Sequence, residues 1–253
     1  MRLNKFFDTP GQQIFSICGC GGKTSLIWTL AAQSSNLKTL VTTTTNMQNP
    51  EQAANLFDYF FDEPETLNLH PRKGITLAGR RKPSGASISS LSLPALEKIT
   101  PLFDKTFIEA DGSRSKPLKA WADYEPVITE STSITIGILP VWPVGEPASD
   151  TIIHRLPLFT TLSGAREGET ITLEHYIPII SGQTADGADK NSSLCHSLFS
   201  LAKGKKILFF NQIEDEYSME NARRITNMLP QSFRNELSAV IAGSVRNDSV
   251  TIL

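Results

Sequence analysis

Ile14-Phe15-Ser16-Ile17-Cys18-Gly19-Cys20-Gly21-Gly22-Lys23-Thr24-Ser25 joins an apolar run to a glycine cluster and ends in Lys-Thr at the start of a helical pattern. The apolar half suits a buried strand. From Lys23 onward Leu26, Ile27, Leu30 and Ala31 share one face, so the spacing predicts a helix over 23–34 with the glycines as its approach. The phosphate-loop pattern GxxxxGK[ST] is met at Gly22-Lys23-Thr24, while Ile17 stands where its first glycine belongs. The remaining residues still supply what phosphate binding requires. Gly19, Gly21 and Gly22 let backbone N–H groups around Cys20 converge on phosphate oxygens without a Cβ in the way. The helix start adds unpaired donors and a partial positive charge. Lys23 reaches the β- and γ-phosphates as a catalytic cation, the Thr24 hydroxyl suits Mg²⁺, and Ser25 adds a phosphate contact. A dinucleotide-binding turn is the alternative, but it wants a small residue where Lys23-Thr24 stands and an acid at the end of the second strand. This chain has Thr42-Thr43-Thr44-Thr45 there. The expectation is a triphosphate with magnesium, ATP or GTP, held by Gly19, Cys20, Gly21, Gly22, Lys23, Thr24 and Ser25.

Around this loop, apolar runs alternate with helix-period segments, the mark of a mostly parallel sheet covered by helices on both faces: an α/β, P-loop NTPase-like fold. Strands are predicted at 13–18, 38–43, 74–78, 105–110, 134–139, 205–210 and 238–242. A second helix is predicted over 218–229, capped by Ser218 and stopped by Pro230. Residues 150–204, with helices predicted near 153–163 and 172–180 and a polar stretch from Gln183 to Ser193, exceed a simple crossover and read as an insertion or lid within one domain spanning 1–253.

With 24 Lys+Arg against 26 Asp+Glu the net charge is -2, so no global basic field draws in nucleic acid or an anionic membrane. Cys18, Cys20 and Cys195 form no CxxC pair and no disulfide framework, which points to the cytoplasm. Of these, Cys20 at a helix start is expected to have a lowered pKa. No signal peptide is legible after Lys5, and the longest apolar run, 134–145, is interrupted by prolines and falls short of the ~20 residues a bilayer needs.

A second cluster, Phe107-Ile108-Glu109-Ala110-Asp111-Gly112-Ser113-Arg114-Ser115-Lys116, follows a predicted strand. Parallel sheets bind ligands at such strand ends. Glu109 and Asp111 are therefore candidates for holding Mg²⁺ or orienting a water, with Arg114 beside them as a catalytic cation and Lys116 and Lys119 as anion contacts. The competing view makes Asp111-Gly112 a turn and the bases solvated. Thr44, and Thr45 beside it, are further metal candidates at the end of strand two. Asn211-Gln212-Ile213-Glu214 follows another strand and admits two readings: Asn211 and Glu214 recognise a nucleobase, or they turn the chain and start a helix. Trp121, Trp142 and Tyr124 read as packing residues.

Taken together, the loop, Val41 to Thr45, Glu109 to Arg114, Pro117-Leu118-Lys119, Glu125 to Ile128, His154-Arg155 and Asn211-Gln212 resemble, in order, the YqeC-type accessory proteins associated with selenium-dependent molybdenum hydroxylases. That resemblance implies a P-loop nucleotide-binding protein, an NTPase, that assists maturation of a molybdenum enzyme, with a molybdenum hydroxylase or cofactor-maturation protein as partner. It also strengthens Arg155, next to Lys119 above, as a candidate substrate or phosphate contact. A small-molecule kinase or ATP-dependent ligase, and a nucleotide-bound scaffold with negligible turnover, are the alternatives. Cys20 departs from the small Ala or Gly expected at its position.

Overall fold

Alternation along the apolar runs sends successive side chains to opposite faces of a sheet. Ile136, Ile138, Ile207 and Phe209 pack in one cluster, whereas Leu139, Leu208 and Phe210 pack in another. Both faces therefore need cover, which helices supply. The computed structural model describes residues 1–8, 11–48, 56–62, 69–83, 85, 87–190 and 195–253. Its central sheet has nine strands: β1 (Gln13–Gly19), β2 (Lys38–Thr43), β3 (Tyr59–Phe61), β4 (Gly74–Ala78), β5 (Lys105–Glu109), β6 (Ile134–Pro140), β7 (Lys205–Asn211), β8 (Leu237–Ser244) and β9 (Ser249–Ile252). They lie in the order β9-β8-β7-β6-β1-β5-β2-β4-β3, parallel except for β9 against β8. The fold is α/β with a mostly parallel sheet, P-loop NTPase-like as expected, and all seven predicted strands are present within two residues of their ends.

Helices α1 (Leu3–Phe7) and α2 (Lys23–Gln33) cover one face through Leu3, Phe7, Leu26, Ile27 and Leu30. A smaller cluster joins Leu96 and Ile99 of α3 (Leu93–Ile99) to Leu40 and Ala78. The other face is covered by α4 (Leu156–Ser163), α5 (Leu173–Ser181) and α6 (Glu216–Met228), while the short α7 (Gln231–Arg234) adds Phe233. Pro178 lies inside α5 and costs it about 3 kcal/mol. The helix persists because Tyr176, Ile177, Ile179 and Ile180 are all buried, at roughly 1.5–3 kcal/mol each.

Residues 150–204 are the connection from β6 to β7, and α4 and α5 share the cluster that contains Leu139, Leu208 and Phe210 of the sheet. The loop through 184–189 closes on itself by Thr184 N–H to Ala188 O at 2.8 Å; residues 191–194 of the polar stretch lie outside the described residues. At α6 the expected cap is corrected: Asp215 caps it, accepting from the Ser218 amide at 2.7 Å, so the helix starts two residues earlier than Ser218. Among the described residues no helix is long and apolar enough to cross a membrane.

Candidate functional site

Strand β1 lies between β5 and β6, so the loop after it opens at the centre of the sheet's C-terminal edge, where parallel sheets bind ligands. Gly19 has φ 108°, and a Cβ there would stand 2.1 Å from the Ile138 carbonyl oxygen, so no other residue fits. The Gly19 amide donates to both Asp111 oxygens, at 3.1 and 3.0 Å, and the Cys20 amide donates to Ile138 O at 2.8 Å. Both amides are thus occupied by the protein. From Gly21 to Ser25 the amides have no hydrogen-bond partner among the described residues, as expected where a helix begins. Asn211 braces this arrangement: its amide donates to Gly21 O at 2.7 Å and its oxygen accepts from the Val245 amide at 2.9 Å.

Beneath the loop runs a chain of alternating charges. The Lys23 ammonium donates to Gly19 O at 2.6 Å and pairs with Asp111 at 3.3 Å. Asp111 also accepts from Lys119 at 3.1 Å and from the Trp121 indole. Lys119 continues to Gly112 O at 2.6 Å and to Glu125 at 2.8 Å, and Glu125 accepts from Arg155. Burial alone lifts the Asp111 carboxyl, yet Lys119, Lys23, the Gly19 amide and Trp121 together hold it below the usual range. For Lys23 burial pulls the other way and is outweighed by Asp111 and Glu109, which raise it. Asp111 and Lys119 are fully enclosed, beneath the open cavity rather than on its wall.

Glu109 differs. Its register partner across the sheet is Ile17, and its Oε2 accepts from the Thr24 hydroxyl at 2.9 Å on the cavity floor. Burial dominates over Lys23 and Thr24 there and raises its pKa. Hydroxyl and carboxylate together offer the oxygen ligands that Mg²⁺ takes alongside phosphate oxygens and waters. Among the described residues no group of three or more His, Cys, Asp or Glu could hold a metal without such help.

The cavity has a volume of about 930 Å³ and runs from Gly21, Gly22, Lys23, Thr24, Ser25 and Glu109 to a wall made of the basic Arg114, Lys116 and Arg155 together with His154. Arg114 and Ser115 have φ 51° and 59°, two successive non-glycine residues in the left-handed region, which costs about 1–3 kcal/mol each and is concentrated at functional sites. Lys116 is tied to the backbone carbonyls of Asp150 and Ile153. Burial and the charges of Arg155, Lys119 and Arg114 push the His154 pKa down to about 4, so the imidazole is neutral near pH 7.

The candidate residues are therefore divided. Gly21 to Ser25, Glu109, Arg114 and Arg155 meet around one cavity, as do Thr45, Asn46, Gln48 and Tyr124. Thr44 turns its hydroxyl to Val127 O at 2.7 Å, and its neighbour Thr45 lines the cavity instead. Asn211 and Glu214 line a second hollow of about 800 Å³ that adjoins the loop at Gly22 and Ser25. Cys20 corrects the expectation of a lowered pKa: desolvation in the core raises it to about 12, against the smaller pull of Lys23 and Lys119. Trp121 is buried as expected, but Trp142 and Tyr124 are exposed at cavity edges.

The model of the YqeC protein family matches residues 15–157, and the chain belongs to that family. It is 27% identical over 243 residues to "Uncharacterized protein YqeC" of Escherichia coli (strain K12), covering 92% of this chain and 88% of the relative. No solved structure matches it.

Proposed function

We propose that this YqeC-family chain binds a nucleoside triphosphate with Mg²⁺ at Gly19 to Ser25 and hydrolyses its terminal phosphoanhydride, serving in the cytoplasm the maturation of a molybdenum hydroxylase. The observation that carries the nucleotide part is the Thr24–Glu109 hydrogen bond at 2.9 Å, set at the foot of a helix whose first amides face an open cavity. The maturation role rests on the family resemblance alone. Mg²⁺, when bound, neutralises charge on the β- and γ-oxygens. The amides of Gly21 to Ser25 orient the phosphates, and Lys23, released from Gly19 O, adds a cation at the bridging oxygen. Arg114 and Arg155 line the same cavity and would supply positive charge to the terminal phosphate. In hydrolysis a water oxygen bonds to the γ-phosphorus as the bond to the bridging oxygen breaks, leaving a nucleoside diphosphate and phosphate. Asp111, with its oxygens already engaged, positions Lys23 and the Gly19 amide.

One observation favours a second reading: the cavity continues past the phosphate loop to Arg114, Lys116 and Arg155, a lining that suits an anionic acceptor and so transfer by a kinase or ligase. Phosphate release by purified protein with MgATP or MgGTP and no acceptor separates the readings. On the hydrolysis account Glu109→Gln lowers turnover by at least about tenfold while nucleotide affinity changes little. Wild-type protein that releases no phosphate, alone or with a client, would exclude hydrolysis.

A further inference from the structure

The second hollow shares Gly22, Ser25 and Gln212 with the main cavity, so the two adjoin at the phosphate loop and one ligand could occupy both. The Thr24–Glu109 pair belongs only to the main cavity. A triphosphate whose terminal end lies there directs the rest of its nucleotide towards the second hollow. Trp142 stands in that hollow, 46% exposed, with its indole N–H donating to Gln212 Oε1 at 3.0 Å. Gln212 is itself held at φ 63°. An exposed indole fixed by donating a hydrogen bond to a left-handed residue is an unusual expense for a surface tryptophan, and its face suits stacking on a base.

The polar groups around it select the base. Asn211 is engaged by Gly21 and Val245, and Asp215 by the start of α6. Glu214 and Arg246 line the hollow and make no hydrogen bond or ion pair among the described residues. An acceptor and a donor together complement guanine, which offers N1–H and N2–H to a carboxylate and O6 to a guanidinium. Adenine offers one amino donor beside the N1 acceptor on that edge, so a carboxylate that takes two donors side by side from guanine meets a lone pair at adenine N1. From this geometry we infer that the hollow is a nucleoside subsite for guanine, with Trp142 as the stacking platform and Glu214 and Arg246 reading the base edge.

This inference rests on the phosphate-loop reading, and the experiment separates the two. The full-length chain is titrated with MgGTP, MgATP and magnesium tripolyphosphate, which has phosphates and no nucleoside. Wild-type protein is expected to bind MgGTP at least about tenfold more tightly than MgATP. Trp142→Ala should weaken MgGTP about tenfold with tripolyphosphate affinity held within twofold, and Glu214→Gln should erase most of the guanine preference. Trp142 is exposed, so its loss leaves the core unchanged. Equal MgGTP and MgATP affinities in the wild type, or a Trp142→Ala variant that shifts MgGTP and tripolyphosphate together or shifts neither, would overturn the subsite. If Lys23→Ala leaves tripolyphosphate binding unchanged, the phosphate loop itself has failed and not the nucleoside subsite.

Discussion

Replacing Asp111 with Asn separates a brace from a metal ligand. In the structure Asp111 is fully buried and holds two ammonium groups, one of them Lys23 with a side chain only 4% exposed. Removing one partner of a buried pair costs about 3–5 kcal/mol, because the remaining charge is left uncompensated. The lower end applies here, since Asn keeps the shape, Lys119 retains Glu125 and Lys23 retains Gly19 O. The amide NH2 nonetheless meets a ring of donors, the Gly19 amide, Lys23, Lys119 and the Trp121 indole. About 3 kcal/mol of lost stability is expected at pH 7, read from urea unfolding as a lower midpoint at unchanged slope. Because the folded pKa of Asp111 is depressed, its contribution is full above the ordinary aspartate value and is lost as pH falls through the folded one. The gap between variant and wild type should therefore close in strong acid. Adding Lys23→Met to Asp111→Asn should recover about 1–3 kcal/mol, since the orphaned charge is gone. A loss below about 1 kcal/mol, together with abolished turnover, would show that Asp111 acts on the ligand and that its role as a brace is wrong.

Gly22→Ala should fold but lose most nucleotide affinity: at φ 121° its Cβ would stand 2.5 Å from the Asn211 amide nitrogen and break the bond that fixes Gly21. The check is equilibrium binding beside an unchanged circular dichroism spectrum. His154, neutral in the folded state down to about pH 4, lets the unfolded chain bind the extra proton first as pH falls below about 6.5. Stability should decline from about pH 6.5 to about 4 more steeply in wild type than in His154→Gln, and parallel melting-temperature profiles would contradict this.

How far the sequence carries is uneven across the molecule. Strands such as Ile134–Pro140 and Lys205–Asn211 were legible because both faces are buried, so their apolar runs are nearly continuous. The phosphate loop was legible because glycine, lysine and threonine stand together within six residues. Edge strands Tyr59–Phe61 and Ser249–Ile252 escaped, being short and only partly buried. Asp111 illustrates the deeper limit. Its two-residue spacing from Glu109 marks a strand end but not that Lys119 and Trp121 fold back over it, so two carboxylates that read alike have opposite surroundings. For Cys20 the local signal, a helix start, lost to burial in the core, which only the packed sheet determines. Trp142 was hidden for the same reason: exposure at a cavity edge depends on where β6 and β7 end relative to the loop.

Equilibrium binding of MgATP and MgGTP to folded wild-type and Lys23→Ala protein decides whether the loop holds a nucleotide. The loop amides cannot replace a cation at the β- and γ-oxygens, so the variant should bind at least about a hundredfold more weakly, as expected for a lost charged hydrogen bond of roughly 3 kcal/mol. The same affinity in both proteins, with Lys23→Ala shown to be folded, would contradict nucleotide binding at Gly19 to Ser25.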